Sequence, residues 1–216
     1  MRLIARAAIA LLALLPLACS AADESAFKEG THYKQVPTPQ EPADPKKVEV
    51  TEVFWYGCPH CYAFDPVIEG WRAKAPGYVL FDRMPSSLGR ADGEVHARAF
   101  YIAEALGVSD KIHKPLFEAI HVEHKPMATL DAVRELFASA AGVKPTDFDQ
   151  SSSSFMVDSR LRRSESLVRA YGVTSVPTII VDGHYMTGGS MAGGNDKVLE
   201  VVNFLVEKQR KERKLK

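Results

Sequence analysis

Phe54-Trp55-Tyr56-Gly57-Cys58-Pro59-His60-Cys61 is the stretch that decides how this chain folds. It ends a valine- and aromatic-rich run, Lys47–Tyr56, that predicts a strand. Beyond it Cys61, Phe64, Ile68 and Trp71 recur at spacings of three and four, which predicts a helix from Pro59 onward, kinked at Pro66. Pro59 suits the first helical position, where its missing N–H costs nothing. Cys58 therefore caps a helix that starts where a strand stops, and Cys61 lies one turn further in on the same side. That spacing lets the two sulfurs bond and leaves the first more exposed.

A thiolate at Cys58 faces the unpaired N–H groups and the positive end of the helix dipole. His60, when protonated or donating, adds to that attraction. Both effects draw a cysteine below its usual pKa of about 8.5. Stabilising the thiolate stabilises the reduced pair, so the disulfide becomes a stronger oxidant by about 1.4 kcal/mol for each 30 mV. Cys58 is then the better leaving group and Cys61 the resolving partner. Zinc is the competing chemistry for Cys-x-x-Cys, but a structural site needs four ligands, and the chain has no second such pair. A static disulfide is the other alternative, and the Cys58–Cys61 loop is too short to constrain much chain.

Working outward, Tyr78–Met84 reads as a second strand. Thr178–Val181 and His184–Met186 flank Asp182-Gly183, a two-residue hairpin signal. A short edge strand is expected at His32–Val36, within a proline-punctuated lead-in over 23–46. Between Met84 and Thr178 the pattern is helical. Val95, Ala99, Ile102 and Leu106 form one stripe ending at Gly107. Leu130, Val133, Phe137 and Ala140 form another, capped by Thr129 and stopped by Gly142. Val157, Leu161, Ser164, Val168 and Tyr171 form a third. A last helix runs from about Asn195, with Val198, Val202 and Leu205 on one face. The order β-β-α-β, helical block, β-β-α describes an α/β protein: a thioredoxin-like fold with an inserted helical domain. The boundaries are 23–84 and 174–216 for the thioredoxin-like domain and 85–173 for the insertion.

Strand alternation puts Val48, Val50, Glu52 and Phe54 on one face. A carboxyl group among those apolar neighbours should have a raised pKa, and through a water it could take or give the proton of Cys61. The alternative is a solvated glutamate at a sheet edge. Val176-Pro177 precedes the hairpin strand. A trans boundary proline is the base expectation. The thioredoxin-like order favours a cis bond packed on the cysteine pair, with the backbone of Val176 open to an extended substrate. Trp55, Tyr56 and Tyr62 are candidates to line a substrate surface, and Trp55 equally suits the core. Gly188-Gly189 and Gly193-Gly194 read as a flexible loop near the cis-proline side. The other histidines read as surface or core residues, and the basic end Lys208–Lys216 as a solvated helix terminus.

The opening residues form a leader. Arg2 and Arg6 precede the apolar run Ala7–Leu17, which is too short to span a bilayer, and small residues follow to Ala22. Residues 1–22 are therefore expected to be a secretory signal peptide. Pro16-Leu17-Ala18-Cys19 partly resembles a lipoprotein signal, in which Cys19 would carry a lipid anchor, although proline fits its first position poorly. Cys58 and Cys61 remain as a lone pair in an oxidising compartment. In the 216-residue chain 27 basic residues balance 27 acidic ones, so charge gives no reason to expect a nucleic-acid partner. Apolar residues make up 46% and charged residues 25%, which is ordinary for a domain with a packed core and excludes collagen-like and wholly disordered classes.

Together these residues resemble the DsbA family of exported thiol oxidases, over essentially the whole chain after the leader. The resemblance implies that Cys58 is the nucleophilic cysteine and Cys61 its buried partner. Pro59 and His60 would be the dipeptide that sets oxidising power, Glu52 the acidic residue near the buried cysteine, and Val176-Pro177 the cis-proline substrate loop. Valine before that proline is similar to the oxidases; threonine is more usual in the isomerases. Gly57 stands where some members carry an aromatic. The implied activity is donation of the disulfide to reduced, newly exported proteins, with re-oxidation by a membrane partner of the DsbB type. The protein would be a periplasmic monomer without cofactor or metal. A disulfide isomerase would need a separate dimerisation domain, for which 23–46 is too short. A periplasmic reductase differs only in its potential. A peptide-binding or chaperone module with an incidental disulfide has no reason to keep a low-pKa cysteine.

Overall fold

The computed structural model describes residues 27–215. The signal peptide read over 1–22 and Cys19 within it lie outside the described residues. In chain order the elements are β1 (Lys34–Gln35), β2 (Val48–Phe54), α1 (Pro59–Arg72) and β3 (Val79–Pro85). Five helices follow: α2 (Ala91–Ala105), α3 (Ser109–His121), α4 (Leu130–Ala141), α5 (Pro145–Ser152) and α6 (Phe155–Ala170). The chain closes with β4 (Thr178–Val181), β5 (Tyr185–Thr187), α7 (Gly189–Ala192) and α8 (Val198–Glu212).

The sheet order is β1-β5-β4-β2-β3. Among the strands of the described residues, only β2 and β3 pair in parallel, and α1 supplies the crossover that a parallel pair requires. This is a thioredoxin-like fold with a helical block inserted between β3 and β4. β2 lies between β4 and β3 and is buried on both faces. Val48 and Val50 pack with Phe64 and Ile68 of α1 and with α8, whereas Val53 packs with Val168 and Tyr171 at the end of α6. Phe54 instead joins Tyr56, Cys58 and Cys61 in a third cluster shared with α2 to α5. The cysteines therefore sit where the sheet meets the helical block.

Most predicted elements appear, with differences that have local causes. β2 stops at Phe54 because the Trp55 carbonyl turns to accept from the Cys58 N–H at 3.0 Å. β3 extends to Pro85, which is tolerated because β3 is an edge strand and needs no donor there. β1 shortens to two residues ahead of Pro37. Asp182 and Gly183 take positive φ, 55° and 67°, as the hairpin requires. β5 starts at Tyr185 rather than His184, because the His184 N–H closes the turn on Val181 (3.1 Å). Thr129 and Gly142 cap α4 as expected, but Ala140 of its stripe is exposed. The loop expected between Gly188 and Gly194 contains the helical turn α7. Two helices that no stripe singled out, α3 and α5, complete the block.

The basic C-terminus is not simply solvated. Arg213 ends α8 and donates to both carboxylate oxygens of Asp182 (2.6 and 2.8 Å) and to the carbonyls of Lys47 and Pro45. Asp182 is fully buried in the hairpin, so this pair ties the last helix to the sheet.

Candidate active site

Cys58 is the N-cap of α1, with extended backbone (φ −88°, ψ 116°), and Pro59 occupies the first turn. Both cysteines are free thiols. Cys58 is 7% exposed and Cys61 is fully buried. Pro59 and His60 are exposed beside them.

The two thiols are driven apart. Cys58 is lowered to about 6, first because the Cys61 thiol donates a hydrogen bond to its sulfur. Burial opposes this; the N–H groups of Cys61 and His60 and the charge of His60 reinforce it. Cys61 is pushed strongly upward, first by burial, then by its bond to Cys58 and by the negative charges of Cys58 and Glu52. One sulfur is thus ready to ionise and the other is held protonated.

The Val176–Pro177 bond is cis, and the Val176 carbonyl oxygen lies 3.6 Å from Cys58 Sγ. A cleft of about 400 Å³ opens beside it, lined by His60, Val176, Pro177, Ser190, Met191 and Asn195. The sequence reading expected the glycine-flanked segment near this loop, but not its helical turn. Val176 thus both lines the cleft and touches the Cys58 sulfur through its carbonyl.

Glu52 is 2% exposed, which overturns the reading of a solvated edge glutamate. Burial raises it to about 7, despite the Arg83 guanidinium 3.0 Å away; Asp65 and Glu69 push it further up. Arg83 is its direct register partner across β2 and β3. Arg83 also reaches Asp65 (2.9 Å) and Glu69 (2.7 Å). Behind Asp65, His113 spans to the hydroxyl of Tyr56. Sequence reasoning missed Arg83, Asp65 and His113.

The aromatic residues divide. Tyr62 is half-buried beside the cysteines and stacks on His121, with ring centroids 4.9 Å apart and planes at 12°. His121 Nε2–H donates to the Tyr56 carbonyl at 2.7 Å, which pins the segment leading into Gly57 and Cys58. Tyr56 is 1% exposed and packs against Phe54 and Phe117, so it does not line a substrate surface. Trp55 is half-buried: its indole N–H donates to His96 (3.0 Å), and Arg90 lies 4.7 Å over its ring. A Cβ on Gly57 would run into that ring, so the bare glycine lets the indole fold over it.

Comparison with known proteins agrees with this geometry. Residues 49–205 match the family model described as a DSBA-like thioredoxin domain. The chain is 39% identical over 208 residues to the thiol:disulfide interchange protein DsbA of Pseudomonas aeruginosa, covering 96% of each. It is 38% identical over 184 residues to the same-named protein of Azotobacter vinelandii, covering 85% of each. The crystal structure of Pseudomonas aeruginosa DsbA superposes with a TM-score of 0.81 at 38% identity, covering 87% of this chain and 97% of that one.

Proposed function

This chain belongs to the DsbA family of thiol:disulfide interchange proteins and is a disulfide oxidoreductase; on that premise we propose that it donates its Cys58–Cys61 disulfide to newly exported proteins. A substrate thiolate attacks Cys58 Sγ. The Cys58–Cys61 bond breaks, a mixed disulfide forms between substrate and Cys58, and Cys61 leaves as a thiolate. Cys61 then takes a proton, through one water, from the Glu52 carboxyl. A second substrate thiolate attacks the substrate sulfur of the mixed disulfide and expels Cys58 as a thiolate. The substrate loses two electrons and gains a disulfide; the cysteine pair gains them. A membrane oxidase of the DsbB type takes those electrons back and restores the bond.

The observation that carries this reading is the opposition between the two sulfurs. With Cys58 titrating near 6, roughly nine in ten of these groups are thiolate at pH 7, so Cys58 leaves easily and the reduced form is favoured. Val176-Pro177 and Tyr62 hold the substrate chain, and His60 faces the same cleft. In this reading residues 1–22 are removed on export to the periplasm. The thioredoxin-like domain spans 23–84 and 174–216, and the insertion spans 85–173. The monomer needs no cofactor.

The test uses a reduced, unfolded protein carrying two thiols. The oxidised chain should convert it to the disulfide form stoichiometrically within one turnover. Cys61→Ser, charged with a small thiol as a mixed disulfide at Cys58, should release that thiol on attack by a substrate carrying a single thiol and accumulate the Cys58–substrate disulfide. A chain that leaves the substrate reduced while its own disulfide persists would overturn the proposal.

A further inference from the structure

The ion group around Arg83 has an arm that the disulfide chemistry does not use. Arg83 is shared by three carboxylates, Glu52, Asp65 and Glu69. One guanidinium cannot neutralise all three, so its hold on Glu52 depends on what else serves the other two. Glu69 also has Arg72 at 2.8 Å. Asp65 has His113, whose Nε2 lies 2.9 Å from the same Oδ1 that Arg83 uses.

The proton positions in this arm follow from its partners. An ionised carboxylate only accepts, so His113 Nε2 carries hydrogen and donates to Asp65. Burial lowers the His113 pKa, which leaves the ring neutral and Nδ1 bare. Tyr56, whose ionisation burial suppresses, therefore donates its O–H to Nδ1 at 2.8 Å. Tyr56 lies two residues before Cys58. The other charges around His113 are Glu69 and Arg83 from α1 and β3. Asp110 and Lys114 of its own helix, Glu104 of α2, Arg72 of α1 and Asp82 of β3 line the same cavity, about 350 Å³, with Arg83, Asp65 and His113.

Resting on the reading of Glu52 as the proton-transfer group, we propose that His113 is a positioning residue for it: by donating to Asp65, His113 keeps Asp65 from drawing Arg83 off Glu52. A merely structural histidine would fill space against Phe54 and Phe117, whose rings lie 5.6 and 5.1 Å away. An apolar side chain would fill that space without the cost of burying a polar ring. What an apolar replacement cannot do is donate to Asp65.

The experiment is an infrared titration of the Glu52 carboxyl in the full reduced chain, with Glu52→Gln identifying the band. His113→Leu should move the Glu52 midpoint up by about half a pH unit or more, roughly a threefold change in proton affinity. His113→Gln, which keeps an N–H donor, should leave it near the parent value. Asp65→Asn removes the competitor for Arg83 and should move the midpoint down by about one unit, roughly tenfold. The opposite signs are the signature. Loss of the Asp65 charge lowers the midpoint by itself, so the deciding comparison adds His113→Leu to Asp65→Asn, where it should move the midpoint no further; His113→Met makes the same comparison if His113→Leu fails to fold. A midpoint unmoved by Asp65→Asn, or moved the same way by both substitutions, overturns the proposal. The coupling is judged on the infrared midpoints, and the role of Glu52 on the pH profile of disulfide reduction, so the two fail separately.

Discussion

The reduced chain should gain stability over the oxidised chain as pH rises from 6 to 9. Cys58 titrates near 6 when folded, against an ordinary value of 9.0. A depressed folded pKa favours the native state only once the thiolate forms. The contribution is absent well below pH 6 and complete above pH 9. At pH 7 the folded state gains roughly an elevenfold advantage, about 1.4 kcal/mol, and above pH 9 the gain approaches about 4 kcal/mol. The oxidised chain has no thiol at this position, so the gain appears in the difference between the two forms. Glu52 acts in the opposite direction: raised to about 7, it contributes stability below its unfolded value of 4.5 that is lost as pH rises through 7. Glu52 is present in both forms, so it enters the difference only to the extent that the redox state of Cys61 changes its titration. Cys61, pushed upward, begins to oppose Cys58 only above its unfolded value of 9.0, which sets the upper end of the window. For a two-electron couple, 1.4 kcal/mol is about 30 mV of added oxidising power at pH 7. Urea unfolding of both forms at pH 5, 6, 7, 8 and 9 measures the difference directly. A difference that is flat or falling between pH 6 and 9 refutes a thiolate-stabilising site at Cys58.

Three further outcomes follow from the geometry. Glu52→Gln should slow reduction of the disulfide by a dithiol on the order of a hundredfold and abolish the inflection near pH 7, as read by stopped-flow tryptophan fluorescence. Gly57→Ala should drive the Trp55 ring off His96 and Arg90, cost about 1–3 kcal/mol in urea and change the fluorescence of the folded chain; an unchanged spectrum and midpoint would mean the indole does not lie over Gly57. Arg213→Ala leaves the buried Asp182 carboxylate unpaired and should cost about 3 kcal/mol, whereas Lys208→Ala, which breaks a surface pair with Glu212, should stay within about 0.5 kcal/mol. Equal effects in those two variants would restore the reading of a solvated basic tail.

What the sequence makes legible is what periodicity and local chemistry encode. The alternation of Val48, Val50 and Phe54 places Glu52 on an apolar face, and the structure buries it there. The spacing of Cys61, Phe64 and Ile68 gives α1, and those three are its buried residues. Asp182-Gly183 gives the hairpin. Arg83 is another matter: it joins Glu52 only through the register of β2 with β3, which no local pattern states. α3 is obscured by Pro115 in its interior and by the polar residues between its apolar ones. His113, Phe117 and His121 at spacings of four are a stripe that local pattern does offer, since that spacing puts all three on one face, where they meet Tyr56 and Tyr62. Tyr56 and Trp55 show the limit of strand alternation past the end of a strand. Once the backbone turns at Trp55, the face of each side chain is set by tertiary contacts, and Tyr56 goes inward while Trp55 folds over Gly57.

Whether this cysteine pair gives its disulfide away is set by its equilibrium with other thiols. Equilibrating Cys58–Cys61 against a glutathione buffer, while following the Cys58 thiolate by ultraviolet absorbance, tests it most directly. Donation requires a potential more oxidising than the glutathione couple and a Cys58 midpoint near 6. A potential near that of thioredoxin, about −270 mV, with a midpoint near neutral or above, would contradict it and make the chain a reductase.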